Sequence, residues 1–250
     1  MVRFDVTDRV ALLTLDDPDR RNIVSAALNV AVIDAMDEAE GRDDVGAVVV
    51  TGAGSAFCAG ADLADLEAAD DADAVRALYA GFLRVAASPL PTVAAVNGPA
   101  VGAGFNMALA CDVILAGTSA RFDTRFLRLG LHPGGGHTWR LRRITDRQAA
   151  MAMVLFGEVV DGARAAEIGL AWRCVPDDEL LGEAIALAAR AAAGPPELVR
   201  RMKATLVATD AVVSGDEAVD LELGPQAWSL DQPAFAELVE RVRSGMKGTS

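Results

Sequence analysis

The fold is decided by residues 46–63, which read GAVVVTGAGSAFCAGADL. The apolar run at 47–51 is typical of a strand that is buried on both faces of a sheet. A loop of small residues follows it, and the same pattern returns in residues 91–104, which read PTVAAVNGPAVGAG. With a third apolar run at 111–116 and helical segments in between, this alternation predicts an α/β fold that binds ligands at its strand ends.

The segments on either side of these strands fit the same fold. Residues 2–16 contain two short runs of β type that end at a turn signal, which predicts a hairpin. Residues 25–40 carry apolar side chains at helical spacing, with Ser25 as the predicted N-cap. An acidic, alanine-rich helix is predicted over 71–87, and a further helix is predicted to begin near Gly102.

The composition becomes mainly helical after Gly157. The sequence Gly194-Pro195-Pro196 stops a helix, so we predict a core domain over residues 1–194. Residues 195–250 are predicted to form a carboxy-terminal helical region that contains about two long amphipathic helices.

Charge and composition argue against several classes of protein. The chain has 250 residues, of which 52% are hydrophobic, and its formal net charge is −13. Such an acidic chain lacks the positive surface that sequence-independent DNA or RNA binding needs. Charges near the amino terminus argue against a signal peptide. The lack of a long apolar run argues against a membrane span. The three widely spaced cysteines fit neither a disulfide framework nor a metal cluster, so we expect a cytoplasmic protein without bound metal.

The two glycine-rich loops have a chemical use if they lie side by side. Residues 52–63 and 97–104 carry small side chains, which let a ligand approach the main chain closely. The second loop opens a helix, where free N–H groups and the helix dipole attract negative charge. Loops that follow adjacent parallel strands can each direct one N–H at a single oxygen, which forms an oxyanion hole. Ordinary turns are the alternative for either loop taken alone, with Asp62 as a cap of its turn.

These loops belong to a longer set of motifs that keeps its order and spacing from about residue 10 to residue 175. The segments are PDRRN at 18–22, SAFCAGADL at 55–63, AVNGPAVGAG at 95–104, ALACD at 108–112, ARF at 120–122, LGL at 129–131 and PGGG at 133–136. Taken together, they resemble the motifs of the crotonase (enoyl-CoA hydratase/isomerase) family.

The resemblance implies a fold, an assembly and a substrate class. It implies a crotonase-type spiral of ββα units with a carboxy-terminal helical region for trimerisation, in a homotrimer or a dimer of trimers. It also implies an acyl-CoA thioester as the substrate, with coenzyme A as part of that substrate and no permanently bound cofactor. The thioester oxygen would be held by the backbone N–H groups of Ala61 and Ala103, although the family more often has glycine at the second position. The implied coenzyme A site comprises Ala59, Gly60, Ala61, Asp62, Leu63 and Gly102.

The chain departs from the family at the positions that carry acid–base chemistry. Hydratases of this family use two glutamates, and the motifs place those positions on Asn106 and Phe126. A third position, which is a carboxylate or tyrosine in some isomerases and decarboxylases, is Gly134 here. None of these three side chains can transfer a proton in general acid–base catalysis.

Other groups near the third loop are candidates for that role. His132 and His137 bracket the loop, and His132 is our candidate for the general base because histidine titrates near neutral pH. The alternative is that His132 packs against its neighbours and that His137 caps the following helix. Arg125 is a candidate partner for a carboxylate on the acyl chain, and a solvated loop surface is the alternative.

Three functions therefore stay open at this point. The first is 2-enoyl-CoA hydration, which is the activity most often associated with such sequences. The second is another crotonase reaction, such as isomerisation, decarboxylation or thioester hydrolysis. The third is acyl-CoA binding without turnover. The sequence favours an active acyl-CoA enzyme that stabilises an enolate in a backbone oxyanion hole.

Overall fold

The computed structural model describes the backbone of residues 1–247 and the side chains of residues 1–244. The chain divides into two compact units, of which the first is Met1–Ala193 and the second begins at Gly194. The strands are β1 Val2–Thr7, β2 Val10–Leu15, β3 Ala47–Gly52, β4 Thr92–Val96, β5 Pro99–Val101, β6 Val113–Gly117, β7 Arg121–Asp123, β8 Val160–Asp161 and β9 Arg173–Val175.

The helices alternate with these strands in the first unit, and the described part of the second unit, residues 194–247, contains helices without strands. The helices are α1 Ala26–Gly41, α2 Leu63–Ala68, α3 Ala72–Ala77, α4 Ala80–Ala86, α5 Ala103–Leu109, α6 His137–Ile144, α7 Arg147–Leu155, α8 Gly162–Glu167, α9 Leu180–Ala192, α10 Pro196–Ala208, α11 Gly215–Leu230 and α12 Pro233–Lys247. Short 3-10 helices lie at Pro18–Arg20, Phe126–Leu129 and Thr209–Ala211. No helix in residues 1–247 combines the length and the apolar character needed to cross a membrane.

Two sheets organise the first unit. The larger sheet has the strand order β1-β2-β3-β4-β6-β9, and the smaller one has the order β5-β7-β8. The amino-terminal hairpin pairs β1 with β2 antiparallel, as predicted, and the remaining neighbours in the large sheet are parallel. The predicted α/β class is therefore confirmed, and β3 and β4 are adjacent parallel strands whose carboxyl ends meet at one edge.

The central strands β3 and β4 of the large sheet are buried on both faces, which explains their continuous apolar runs. Along β3, Val48 and Val50 join the larger hydrophobic cluster, whereas Ala47 and Val49 join a second cluster with helix α9. Successive side chains of a strand point to opposite faces, so a strand covered on both sides needs apolar residues at every position. The loops at the strand ends are therefore carried by a rigid, fully packed layer.

Helix α1 begins where the sequence predicts. The Ser25 side chain accepts a hydrogen bond from the backbone N–H of Leu28 at 3.2 Å, which satisfies one of the free donors of the first helical turn. The apolar positions Leu28, Val32 and Met36 face the core, as the helical spacing indicates.

The helix predicted over 71–87 is broken in the structure into α3 and α4. The cause is Asn29 of α1, whose amide donates to the carbonyl of Leu78 at 3.2 Å and accepts from the N–H of Gly81 at 3.0 Å. These bonds hold backbone groups at the break. The prediction of one continuous helix was wrong because the competing partner lies far away in the sequence.

Residues 194–247 of the carboxy-terminal unit form three long helices, α10, α11 and α12, where about two were predicted. The prediction missed α11, in which the apolar residues are spread around the helix and Pro225 interrupts the interior. A helix without an apolar stripe gives little periodic signal in the sequence.

Candidate active site

The two glycine-rich loops lie against each other after strands β3 and β4. The N–H of Cys58 donates to the carbonyl of Pro99 at 3.1 Å, and the N–H of Val101 donates to the carbonyl of Cys58 at 3.0 Å. Cys58 also forms an isolated parallel bridge with Ala100. The loops therefore continue the parallel pairing of their strands and hold a fixed separation.

Two asparagines hold the first loop in place: Asn97, which is half-buried, and Asn22, which is buried. The amide of Asn97 donates to the carbonyls of Gly52 and Gly54 at 2.9 and 3.1 Å. The amide of Asn22 donates to the carbonyls of Ala53 and Ala56, each at 2.9 Å. Asn22 is fully buried, so these bonds form away from water and fix the main chain of the loop. The structure thus gives the PDRRN segment a positioning role.

Close approach of the loops requires glycine at Gly104. A β-carbon there would overlap the carbonyl oxygen of Cys58. Gly102 has φ of +50°, a conformation that side-chain-bearing residues rarely adopt, and it is the N-cap of α5. The helix therefore starts directly beside the first loop, with its first residue, Ala103, facing the same space.

This space is a cavity of about 420 Å³. It contains all six residues predicted for the coenzyme A site, as well as Ala103 and Phe126. The lining residues are Ile23, Ala59, Gly60, Ala61, Asp62, Leu63, Leu66, Val101, Gly102, Ala103, Thr124, Arg125, Phe126, Leu129 and Leu131. Among the described residues, none accepts a hydrogen bond from the backbone N–H of Ala61 or of Ala103. Two free donors from different loops therefore share one cavity.

Asp62 is the carboxylate among these lining residues, and its oxygens are already used. One oxygen accepts from the N–H of Ala64 at 3.0 Å and caps α2, a helix that the sequence analysis did not predict, while the other pairs with Arg20 at 2.6 Å. The hydrogen bond from Arg20 is the main cause that lowers the pKa of this carboxyl. Asp62 is therefore held as a charged structural group.

Asn106 is buried at the first of the two glutamate positions, and both ends of its amide are bound by the protein. Its Nδ2 donates to the carbonyl of Gly134 at 3.1 Å, and its Oδ1 lies 2.8 Å from Nδ1 of His137. Because an amide oxygen only accepts, Nδ1 of His137 carries the proton in this arrangement. The amide is thus part of a fixed internal contact with the third loop.

His137 is the residue that the sequence-based reasoning assigned to a helix cap. It is the first residue of α6, and its ring is 1% exposed and packs edge-on against Phe105 and Phe126 at centroid distances of 5.2 and 5.0 Å. Its Nε2 has no hydrogen-bond partner among the described residues. Burial, followed by the nearby charge of Arg140, lowers its pKa to about 4, so the ring is neutral near pH 7.

The burial of His137 predicts a pH dependence of stability. We expect the free energy of unfolding to fall as the pH is lowered from the ordinary histidine pKa of 6.5 toward about 4. In this window the unfolded chain takes up a proton that the folded chain does not, so the slope approaches about 1.4 kcal/mol per pH unit. Above this window both states are neutral at this residue, and its contribution is constant.

Urea unfolding at a series of pH values measures this slope. The variant His137→Gln should lose this part of the slope. Equal slopes in the wild type and in His137→Gln would contradict the assignment.

The structure does not bring His132 together with the other predicted catalytic residues. His132 is exposed, and its Nδ1 lies 2.7 Å from the carbonyl oxygen of Pro133, while its neighbour Leu131 lines the cavity. Its role as a general base stays a prediction. The histidine that contacts the two glutamate positions, Asn106 and Phe126, is His137.

Arg125 and Cys58 are two other polar side chains close to the site, and neither is a free ionised group. Arg125 lines the cavity and forms an ion pair with the buried Asp123 at 2.6 Å, which occupies part of its guanidinium. Cys58 is fully buried, and burial raises the pKa of its thiol to about 12, so it behaves as a small apolar group.

In residues 1–244, no group of histidine, cysteine, aspartate and glutamate side chains is arranged to hold a metal ion.

Comparison with known proteins identifies the family. A family model described as enoyl-CoA hydratase/isomerase matches residues 5–227. The chain belongs to the enoyl-CoA hydratase/isomerase family. A relative from Mycobacterium tuberculosis, named "Probable enoyl-CoA hydratase EchA14", is 51% identical over 243 residues and covers 94% of each chain. The 1,2-epoxyphenylacetyl-CoA isomerase of Escherichia coli is 36% identical over 193 residues, or 74% of each chain.

Solved structures of the enoyl-CoA hydratase/isomerase family have the same fold. The crystal structure of an enoyl-CoA hydratase from Bacillus anthracis matches with a TM-score of 0.91 and 27% identity, over 98% of this chain and 96% of the other. An enoyl-CoA hydratase from Polaromonas matches with a TM-score of 0.90 and 28% identity, over 98% and 97% of the two chains. The resemblance inferred from the motifs is therefore confirmed at the level of family and fold.

Proposed function

We propose that this protein binds an acyl-CoA thioester and stabilises the enolate of its acyl group with the backbone N–H groups of Ala61 and Ala103. One observation carries the proposal: two unused N–H donors from two braced loops line the same cavity. The carbonyl oxygen of a thioester gains negative charge when its α-carbon loses a proton. Fixed donors in a cavity stabilise that charge without having to reorganise.

The side chains around the cavity argue against glutamate-assisted hydration. Adding water to a 2-enoyl thioester needs one group that orients the water and one that delivers a proton to the α-carbon. The first position is Asn106, whose amide is occupied by Gly134 and His137. The second is Phe126, and the lining carboxylate Asp62 is paired with Arg20. Each missing acid or base forfeits roughly 10²- to 10⁴-fold in rate.

A proton shift within the acyl group fits the site better than addition of water. In a 3-enoyl thioester, the C–H bond at the α-carbon breaks, the double bond moves to the 2,3 position, and the γ-carbon gains a proton. The intermediate is the enolate that the two N–H groups stabilise. His132, which is exposed and is not among the lining residues, remains our sequence-based candidate for carrying the proton, and His137 is the second candidate because its Nε2 is unpartnered.

Two substrates that differ in the position of the double bond test this proposal. We expect trans-3-hexenoyl-CoA to gain the ultraviolet absorbance of a conjugated enoyl thioester. We expect crotonyl-CoA to lose its absorbance at least about 10²-fold more slowly, because both glutamates are absent. Comparable rates for the two substrates, or faster decay of crotonyl-CoA, would contradict this choice of reaction and favour hydration.

Binding without turnover is the second candidate function. The absence of an unpaired carboxylate among the residues that line the cavity favours it. Thermal stabilisation by both thioesters, with no change in the absorbance of either, is the result expected of a binding protein. The homotrimer, or dimer of trimers, implied by the family stays a prediction, which size-exclusion chromatography with light scattering can test.

A further inference from the structure

A second cavity of about 640 Å³ lies beside the third glycine loop. Its lining combines a flat aromatic surface with two arginines, which differs from the mostly apolar first cavity. The lining residues are Ala72, Asp73, Arg76, Tyr79, Leu83, Gly135, Gly136, Trp139 and Arg140. None of the catalytic roles described above uses these side chains.

Arg140 is a half-buried cation without a carboxylate partner. Its Nη1 donates to the carbonyl of Gly135 at 2.7 Å, and no ion pair joins it to a carboxylate in residues 1–244. Burial lowers the pKa of its guanidinium, and no acidic neighbour offsets that effect. A guanidinium has five N–H donors, and the one hydrogen bond to Gly135 leaves donors for a ligand, while the guanidinium carbon lies 6.0 Å from the centroid of the Trp139 ring. An arginine without a carboxylate partner is unusual in a chain with 36 acidic and 23 basic residues.

The other lining groups suit a ligand with a charged end and an apolar body. Arg76, in the last turn of α3, adds a second positive charge at the mouth, and Asp73 is the acidic member of the lining. Leu83 and the half-exposed Trp139 supply apolar surface. A planar guanidinium binds a carboxylate or a phosphate through two parallel hydrogen bonds, and the apolar surface beside it suits a carboxylate at the end of an aliphatic chain.

The second cavity is close to the position of the thioester. Ala103 and Asn106 are three residues apart on α5, which is about 4.5 Å along the helix axis. The amide of Asn106 donates to the carbonyl of Gly134 at 3.1 Å, and the Tyr79 side chain borders Gly134 on its other side. One side chain and one loop therefore separate the predicted carbonyl site from the inner end of the second cavity.

We propose that the second cavity binds a carboxylate group through Arg140, and that this carboxylate is the far end of the acyl group of an acyl-CoA. The second part of this inference rests on the proposed acyl-CoA function, whereas the first part does not. The substrate class is then a carboxyacyl-CoA, which has a thioester at one end and a free carboxylate at the other. The chain's net charge of −13 disfavours the extra negative charge of such a ligand, so a preference for it requires a local site.

Isothermal titration calorimetry with a matched pair of thioesters tests the inference. Suberyl-CoA and octanoyl-CoA have the same chain length and differ in the terminal carboxylate. We expect the wild type to bind suberyl-CoA about tenfold more tightly, which is the effect of one charge-assisted hydrogen-bonded pair. Arg140→Gln should remove this preference, so that the variant binds the two thioesters with equal affinity. Arg142→Gln, an exposed arginine of the same helix outside the cavity lining, should retain it.

The outcomes separate this inference from the proposed function. Equal affinities for the two thioesters in the wild type would overturn it. A preference that survives in Arg140→Gln, with an unchanged melting temperature, would overturn it as well.

Free suberate is the second ligand of the test. If its binding depends on Arg140 but the protein shows no preference for suberyl-CoA, the acyl-chain assignment is overturned and a site for a free carboxylate is left. If neither thioester binds, the proposed function fails, and free suberate alone then decides whether the carboxylate site exists. Arg140→Lys, which keeps the charge but not the fork, should restore part of the preference.

Discussion

Replacing Ala103 with proline is expected to lower the turnover of trans-3-hexenoyl-CoA by about 10²- to 10³-fold, which is the usual cost of removing one donor from an oxyanion hole. Proline has no backbone N–H, so the substitution deletes the proposed donor itself. Ala103 is the first residue of α5, a position where proline is tolerated because its N–H is not used within the helix. The substitution is therefore expected to lower turnover much more than it lowers the stability of the fold.

Ala103→Gly is the matched control. Glycine keeps the N–H and removes the methyl group, so its turnover should stay within a few-fold of the wild type. Thermal unfolding of both variants shows whether either has lost its fold. Turnover in a well-folded Ala103→Pro variant that equals the wild-type value would rule out the N–H of Ala103 as a donor to the substrate.

Gly104→Ala is expected to destabilise the protein by about 1–3 kcal/mol, because the new methyl group overlaps the carbonyl oxygen of Cys58 in the neighbouring loop. For a chain of this length, that corresponds to a fall in melting temperature of about 2–4 °C per kcal/mol. The strain acts where the two loops pair, so acyl-CoA affinity should fall as well. Differential scanning calorimetry and ligand titration measure the two effects.

Gly182→Ala is the control for adding a methyl group to a glycine. Gly182 lies inside α9, and a β-carbon there would meet no atom within 4 Å. Since alanine is favoured over glycine in helix interiors by roughly 1 kcal/mol, this variant should be as stable as the wild type or slightly more stable. A Gly104→Ala variant as stable as Gly182→Ala would show that the loops separate easily.

The sequence predicts the local elements that position the site. Strand β3 is a fully buried apolar run, and helix α1 has both a periodic stripe and a capping serine, so each is specified by its own residues. The two loops are identified by small residues after adjacent strands, and their contact follows from the parallel pairing of β3 and β4. These features depend on neighbours in sequence or on strand order.

The parts that sequence reasoning missed depend on contacts between distant residues. The break between α3 and α4 is held by Asn29, which lies 52 residues before Gly81. Likewise, the partner of Asn106 is His137, 31 residues further along the chain. A polar residue at either position looks like ordinary surface or capping chemistry until the fold brings its partner close. Burial of both side chains, which decides their role, has no local signature.

The braced pair of loops separates two features of the site: the position of the two N–H groups and the shape of the cavity lining. The spacing between the N–H groups of Ala61 and Ala103 depends on main-chain pairing around Cys58 and Ala100, not on which side chains line the cavity. Substitutions at Phe126, or around the second cavity, are therefore expected to alter which ligand fits without moving these N–H groups. Main-chain pairing thus sets the position of the proposed donors, whereas the shape of the cavity depends on side chains that single substitutions can change.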